Sequence, residues 1–142
     1  MSASKRHERY EEGRRFPRIP VAIPITIVHG QNQTTEAVTY DISPDGIQIR
    51  CNQAIAQILH PKCERIEESA RPPVDVTLNL PVKKGEKKFI ARCHIVYMIF
   101  LKEAESDAEN AAIGLKYMAL KGRSEKYLHQ FLFKGRQGIG PR

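Results

Sequence analysis

Hydrophobic and polar residues alternate along most of this chain, which is the period of a β-strand with one buried face. The alternation is cleanest at residues 21–27, where four β-branched residues share one face, and at residues 74–80. Pro24 lies on the opposite face of the first segment. Because proline cannot donate to a ladder, that strand is predicted to be an edge there or to carry a bulge. Further strands are predicted at residues 34–40, 46–51, 87–100 (a long strand or bent pair) and 112–118.

Two segments show helical spacing instead. Residues 52–59 predict a short helix that is capped by Asn52 and stopped by Pro61. Residues 124–134 predict a longer helix that begins at Ser124 and is ended by Gly135. The apolar stripe of this second helix is formed by Tyr127, Leu128, Phe131 and Leu132.

Strands separated by short turns, followed by one terminal helix, are typical of a small antiparallel β-barrel. The 142 residues fit one domain that can bury a core without disulfides. The chain is therefore expected to be an all-β barrel whose mouth is covered by the terminal helix.

The charge of the chain favours an anionic partner. Its 23 Lys and Arg exceed its 16 Asp and Glu by seven, which suits a nucleotide, a nucleic acid or a membrane surface alike. The excess is uneven: residues 1–20 carry six Lys and Arg against three Glu, whereas residues 103–109 form an acidic loop, so the positive charge lies toward the ends.

The three cysteines, Cys51, Cys63 and Cys93, have no C-x-x-C spacing, so no disulfide framework or zinc knuckle is indicated and no metal is expected. The N-terminus is charged and lacks the apolar stretch of a secretory signal. The longest apolar run, residues 95–101, is too short to span a bilayer. A soluble cytoplasmic protein, without a membrane span, is expected.

A turn motif lies between two of the predicted strands. Asp41, Ser43, Pro44, Asp45 and Gly46 are all residues that favour tight turns, and glycine there either adopts a positive φ or allows another molecule to approach. Asp41 and Ser43 can also be explained as side chains that bond their own backbone.

A basic loop precedes the first strand, where Arg14, Arg15 and Arg18 stand in a segment that prolines keep irregular. Together, R-x-x-x-R at Arg14 and Arg18 and D-x-S-x-x-G at Asp41, Ser43 and Gly46 resemble the paired signature of the PilZ domain, a bacterial receptor module for cyclic di-GMP. The resemblance extends from about residue 9 to about residue 133. It implies a six-stranded antiparallel barrel with a C-terminal helix, and a receptor that acts on a separate effector protein.

The side chains of the two motifs suit this ligand. A guanidinium can bind phosphate oxygens in pairs, take guanine O6 and N7, and stack on a purine. The Asp41 carboxylate can accept from the N1–H and N2–H groups of guanine, while Ser43 adds a small donor and acceptor and Gly46 admits the ligand to the backbone. Arg15, beside Arg14, and Gln48, on the outward face after Gly46, are expected as further contacts.

Two other functions stay open at this point. A degenerate PilZ scaffold could serve only as an interaction protein, and a basic barrel could bind single-stranded nucleic acid. Phe and Tyr make up only 7% of the chain and Trp is absent, so a stacking platform for bases, and with it nucleic acid, is not favoured. No catalytic motif is present, and an enzyme is not expected.

The predicted organisation is a flexible basic arm at residues 1–13, a PilZ domain at residues 14–135 and a flexible tail at residues 136–142. The chain is expected to be a monomer, and the arm is expected to become ordered when ligand binds. The apolar run at residues 95–101 is interpreted as a buried core strand, with contact to the effector as the alternative.

Overall fold

The computed structural model describes residues 18–59, 72–101 and 110–133. The predicted arm, the tail, the acidic loop and most of the loop after residue 59 lie outside these ranges, as do Arg14 and Arg15. In the described residues, strands β1 to β7 are Ile19–Pro20, Pro24–His29, Gln33–Ile42, Gly46–Cys51, Val74–Val82, Gly85–Phe100 and Ala111–Leu120. Helices α1 and α2 are Gln53–Leu59 and Ser124–Phe133.

Six of these strands close into an antiparallel barrel. Their order is β3-β2-β5-β6-β7-β4, and pairing between β3 and β4 completes the ring, while β1 pairs with β3 outside it. The predicted six-stranded barrel with a terminal helix is confirmed, and β1 is an additional element.

The alternation of the sequence becomes the inward face of the barrel. Ile25, Ile27, Ile49, Val76 and Phe89 are fully buried, so strands with a period of two supply one shared core. Pro24 fits this arrangement because it pairs with Val38 of β3, whereas the ladder between β2 and β5 begins only at Ile25. The missing N–H therefore falls where the strand has one neighbour, as predicted.

Helix α2 packs against β5 and β6 and buries Leu128, Phe131 and Leu132. Ser124 begins this helix as predicted. Its hydroxyl accepts a hydrogen bond of 2.8 Å from the backbone N–H of Ile90, so it joins the helix to β6. In α1, the predicted cap is present: the backbone N–H of Ile55 donates to Oδ1 of Asn52 at 2.8 Å.

The interpretation of residues 95–101 as a buried core strand is wrong for most of that run. Ile95 is buried, but Val96, Tyr97, Ile99 and Phe100 are all exposed. The pairing of β6 with β7 changes register between Ile95 and Tyr97, and such a bulge changes which side chains face the core. Part of this exposed run borders the candidate site.

Candidate functional site

The turn between β3 and β4 is shorter than the sequence predicted. Asp41 and Ile42 belong to β3, and only residues 43–45 form the turn. Ser43 organises it, because its hydroxyl oxygen accepts from the backbone N–H groups of Asp45 and Gly46, both at 3.2 Å. The backbone N–H of Ser43 also donates to the Gly46 carbonyl at 2.9 Å. Ser43 is thus a turn-forming residue, which was one of its two interpretations.

Gly46 is required for a reason that the sequence did not reveal. It does not have a positive φ, so of the two predicted reasons for a glycine here the left-handed backbone does not apply. A Cβ built on Gly46 would lie 2.0 Å from the carbonyl oxygen of Leu115, on the neighbouring strand β7. The close approach is therefore made by the barrel's own backbone, which holds the turn against β7.

A bulge in β3 decides which way Asp41 faces. Thr39 pairs with Ile49 and Asp41 pairs with Gln48, so Tyr40 is the extra residue on the β3 side. Residues directly opposite on neighbouring strands share a face. After the bulge, Asp41 consequently lies on the same outward face as Gln48, next to the turn.

The short strand β1 brings Arg18 to this face. Pro20 pairs with Asp41 and Ile19 with Ile42, which places Arg18 at the outer edge of β3. Nη1 of Arg18 donates to Oδ1 of Asp41 at 3.3 Å, and the Asp41 side chain is only 10% exposed. The last arginine of the first motif and the aspartate of the second, 23 positions apart in sequence, are therefore in contact.

Gln48 begins a polar chain that crosses the outward face. Its Nε2 donates to the hydroxyl of Tyr97 at 2.7 Å, and its Oε1 accepts from Arg50 at 3.1 and 3.2 Å. The Arg50 guanidinium lies 3.7 Å from the centre of the Tyr40 ring, a cation–π geometry. These contacts fix the orientation of an amide that the sequence marked as a candidate site residue.

Gly114 makes room for the Gln48 contact. It pairs with Gln48 on β4 and with Tyr97 on β6, so it lies between the two side chains that meet above it. A Cβ at Gly114 would come within 2.1 Å of the Tyr97 ring. The ring can lie across β7 only because this position carries no side chain.

An open cleft of about 410 Å³ lies beside the turn. Of the predicted site residues it brings together Arg18, Ser43, Gly46 and Gln48, and Asp41 adjoins it through its ion pair with Arg18. The cleft also includes Tyr97 and Lys116, which the sequence analysis did not select. Lys116 could have been noticed as a cation in an otherwise apolar strand, but no motif marks Tyr97.

The backbone of β7 supports the cleft from below. Lys116 pairs with Gly46, and the N–H of Tyr117 donates to the carbonyl of Asp45 at 3.0 Å. The Tyr117 side chain is partly buried with its hydroxyl enclosed, and this burial raises the pKa of its phenol above the ordinary value. The turn is therefore attached to a packed strand as well as to its own hydrogen bonds.

A comparison with models of known protein families identifies the family of this chain. A family model described as the PilZ domain matches residues 12–134. The chain belongs to the PilZ domain family. The family predicted from the sequence is thereby confirmed. A search of the curated proteins gives no match.

Solved structures share the fold of this PilZ domain at low sequence identity. The Bacillus subtilis inhibitor of motility, MotI/DgrA, has 12% identity and a TM-score of 0.62, with 85% of this chain and 50% of that chain covered. The Borreliella burgdorferi PlzA protein, solved in complex with c-di-GMP, has 12% identity and a TM-score of 0.55, with 89% and 53% covered.

A third similar structure is the PilZ domain of YcgR from Escherichia coli with c-di-GMP, at 14% identity and a TM-score of 0.55, with 85% of this chain and 89% of that chain covered. The chain thus spans about half the length of MotI/DgrA and PlzA, and most of the YcgR domain.

Two further properties concern the described residues alone. Neither helix in these ranges is long and apolar enough to cross a membrane. Across the same ranges, no three or more His, Cys, Asp and Glu side chains are grouped so that they could hold a metal ion.

Proposed function

We propose that this PilZ domain is a receptor that binds cyclic di-GMP at the turn between β3 and β4 and passes the signal to a separate effector protein. The observation that carries the proposal is the contact between Arg18 and Asp41, because it joins the two family motifs at one cleft. Two similar structures, PlzA and the YcgR domain, are described with c-di-GMP.

The proposed roles follow from the chemistry of each group. Arg14, Arg15 and Arg18 supply guanidiniums for the phosphates and the purine faces. Asp41 accepts from the guanine edge, and the amide of Gln48, held by Tyr97 and Arg50, lies on the same face. Ser43 and Gly46 contribute by shaping the turn that presents these groups.

The ion pair between Arg18 and Asp41 indicates how the site distinguishes its ligand from other anions. Both side chains have a partner in this structure, so a ligand that needs the guanidinium and the carboxylate must share that contact or replace it. A ligand with both an anionic phosphate and the donor edge of guanine can do so, since it offers each group a partner of suitable charge. A simple phosphate offers nothing to Asp41.

Amide hydrogen exchange tests where the ligand binds and whether the arm responds. We expect saturating cyclic di-GMP to increase the protection of residues 9–18 and of residues 41–46, because phosphates neutralise neighbouring guanidiniums and fix the arm against the turn. A chain that starts at Ile19 should stay folded and should show no nucleotide response. If protection increased only far from residues 41–46, the proposed binding site would be wrong. If protection at residues 9–18 did not change, the arm would not be the segment that responds to the ligand.

A further inference from the structure

A second concave surface lies between the hairpin that joins β5 to β6 and the first half of α2. It encloses about 630 Å³, which is within the usual range for binding sites. It shares no lining residue with the cleft at the turn between β3 and β4. Five cationic side chains line this basic cavity: Lys83, Lys84, Lys87, Arg123 and Lys126.

The charge of the basic cavity is not balanced within the described part of the chain. Among the described residues, no carboxylate lines the cavity and none of its five cations forms an ion pair with another described residue. Glu86 and Glu125 are near in sequence but do not line the cavity. Five cations close together repel one another, so an anion placed among them relieves that repulsion.

The walls of the basic cavity are fixed. Ile90 joins them, because its N–H donates to the Ser124 hydroxyl at 2.8 Å and its carbonyl accepts from the N–H of Lys121 at 3.0 Å. Val82 is buried, and Tyr127 packs against the core. The hairpin and the helix are therefore joined through their backbones, and the flexible cationic side chains extend from a backbone that is already in place.

The character of the wall indicates the class of partner. Four of the five cations are lysines, which act as flexible point charges and do not impose the paired geometry of arginine. Between them, the half-buried Tyr127 offers an apolar surface. Single-stranded nucleic acid needs several aromatic platforms, and Tyr127 is the only aromatic residue among the described residues that line the cavity. A membrane surface is flat, whereas this site is concave.

We infer that the basic cavity docks an acidic segment of a partner protein, one that carries an apolar side chain among its carboxylates. The carboxylates bind the lysines, and the apolar side chain covers Tyr127. The site is separate from the nucleotide cleft, so this inference does not rest on the binding of cyclic di-GMP.

Fluorescence anisotropy can test the inference with a labelled peptide, Glu-Glu-Leu-Glu-Glu-Phe-Glu-Glu, and a second peptide in which serine replaces the two apolar residues. The chain is tested as wild type, as Lys84→Glu with Lys126→Glu, and as Lys88→Glu with Lys121→Glu. The two double variants change net charge equally, but Lys88 and Lys121 are exposed and do not line the cavity. All four positions are on the surface, so folding should be preserved.

We expect the first peptide to bind wild type, and to bind the cavity variant, Lys84→Glu with Lys126→Glu, about ten-fold or more weakly. For the control variant, Lys88→Glu with Lys121→Glu, the affinity should change by only about two- to three-fold, because salt screens distant charges. The serine peptide should bind more weakly than the first. No binding by wild type, or equal losses in both double variants, would overturn the inference.

Competition separates the other classes of partner. A twelve-nucleotide oligothymidine or vesicles of phosphatidylglycerol should displace the first peptide poorly at physiological salt. If either competitor bound more strongly than the first peptide and lost affinity in the Lys84→Glu and Lys126→Glu variant, the cavity would instead be assigned to nucleic acid or to lipid. The acidic loop of a second copy of the chain is the remaining alternative, and sedimentation at rising protein concentration tests it. If wild type self-associates and only the cavity variant loses this association, the assignment to a separate partner is overturned.

Discussion

Nη1 of Arg18 lies 3.3 Å from Oδ1 of Asp41, so the basic segment before β1 and the end of β3 are joined by an ion pair. The contact depends on β1, whose two residues pair with Asp41 and Ile42. The Asp41 side chain is mostly buried, whereas that of Arg18 is 36% exposed. A pair of this kind contributes little to folding, about 1 kcal/mol or less, so its main importance is the position that it gives to both groups.

Replacement of Arg18 by alanine should weaken cyclic di-GMP binding by about ten-fold or more, because a charge-assisted hydrogen bond contributes roughly 1.5–3 kcal/mol. The melting temperature should change little. Arg92→Ala is the matched control, since Arg92 forms an exposed ion pair with Asp75 at 3.0 Å, away from the cleft. Titration of both variants checks this, and equal affinities would contradict the assignment of Arg18.

Asp41→Ala should act on selectivity. With the acceptor for the guanine edge removed, the ratio of cyclic di-GMP affinity to cyclic di-AMP affinity should fall, since a site built to pair with a donor discriminates against ligands that lack it. Competition between the two nucleotides measures the ratio in wild type and variant. A ratio left unchanged would mean that Asp41 serves the fold alone.

Gly46→Ala should destabilise the fold by about 2–4 kcal/mol, because the new methyl group meets backbone that cannot move aside cheaply. The obstacle is the Leu115 carbonyl, 2.0 Å from the built Cβ. Gly122→Ala is the comparison: Gly122 has φ +57° but open space around it, so only about 1 kcal/mol is expected. Urea unfolding measures the loss of stability in both variants. A smaller loss for Gly46→Ala than for Gly122→Ala would contradict the prediction.

The buried thiols predict a loss of stability at high pH. Burial raises the pKa of Cys51 to about 11 and that of Cys93 to about 12. In the unfolded chain a thiol ionises near pH 8.5, so above about pH 9 the unfolded state loses protons that the folded state keeps. Stability should therefore be nearly insensitive to these thiols up to about pH 8 and should fall by about 2 kcal/mol for each thiol near pH 10.

Urea unfolding at pH 8 and pH 10 checks this expectation. The variant with Cys51→Ala and Cys93→Ala should lose less stability between the two pH values than wild type, whatever its stability at pH 8. Taking the loss of stability between the two pH values within each protein removes the cost of the smaller side chains. Comparing the two losses then removes the titration of the other groups, which both proteins share. An equal loss in both proteins would show that the thiols do not ionise on unfolding in this range.

The elements that the sequence predicted well are those whose own pattern determines them. The strand predicted at residues 74–80 is observed at Val74–Val82, and the helix predicted from residue 124 is observed at Ser124–Phe133. In both, the spacing of apolar residues matches the face that is buried. The turn residues of the second motif were also identified, because their preference for turns is local.

Features that depend on distant partners were missed. Strand β1 has two residues and no period of its own, so it exists only through pairing with β3. The outward direction of Asp41 depends on the bulge at Tyr40, and the need for glycine at position 46 comes from Leu115, 69 positions later. Tyr97 reaches the site only because a register shift follows Ile95. The roles of the seven predicted site residues in ligand binding stay a prediction.

Isothermal titration calorimetry of the full chain with cyclic di-GMP tests the central proposal most directly. We predict saturable binding at one or two molecules per chain, weaker at higher salt because guanidiniums meet phosphates, and much weaker in Arg18→Ala than in Arg92→Ala. If the folded wild-type chain gave no binding signal with cyclic di-GMP at several temperatures, the proposal would be contradicted.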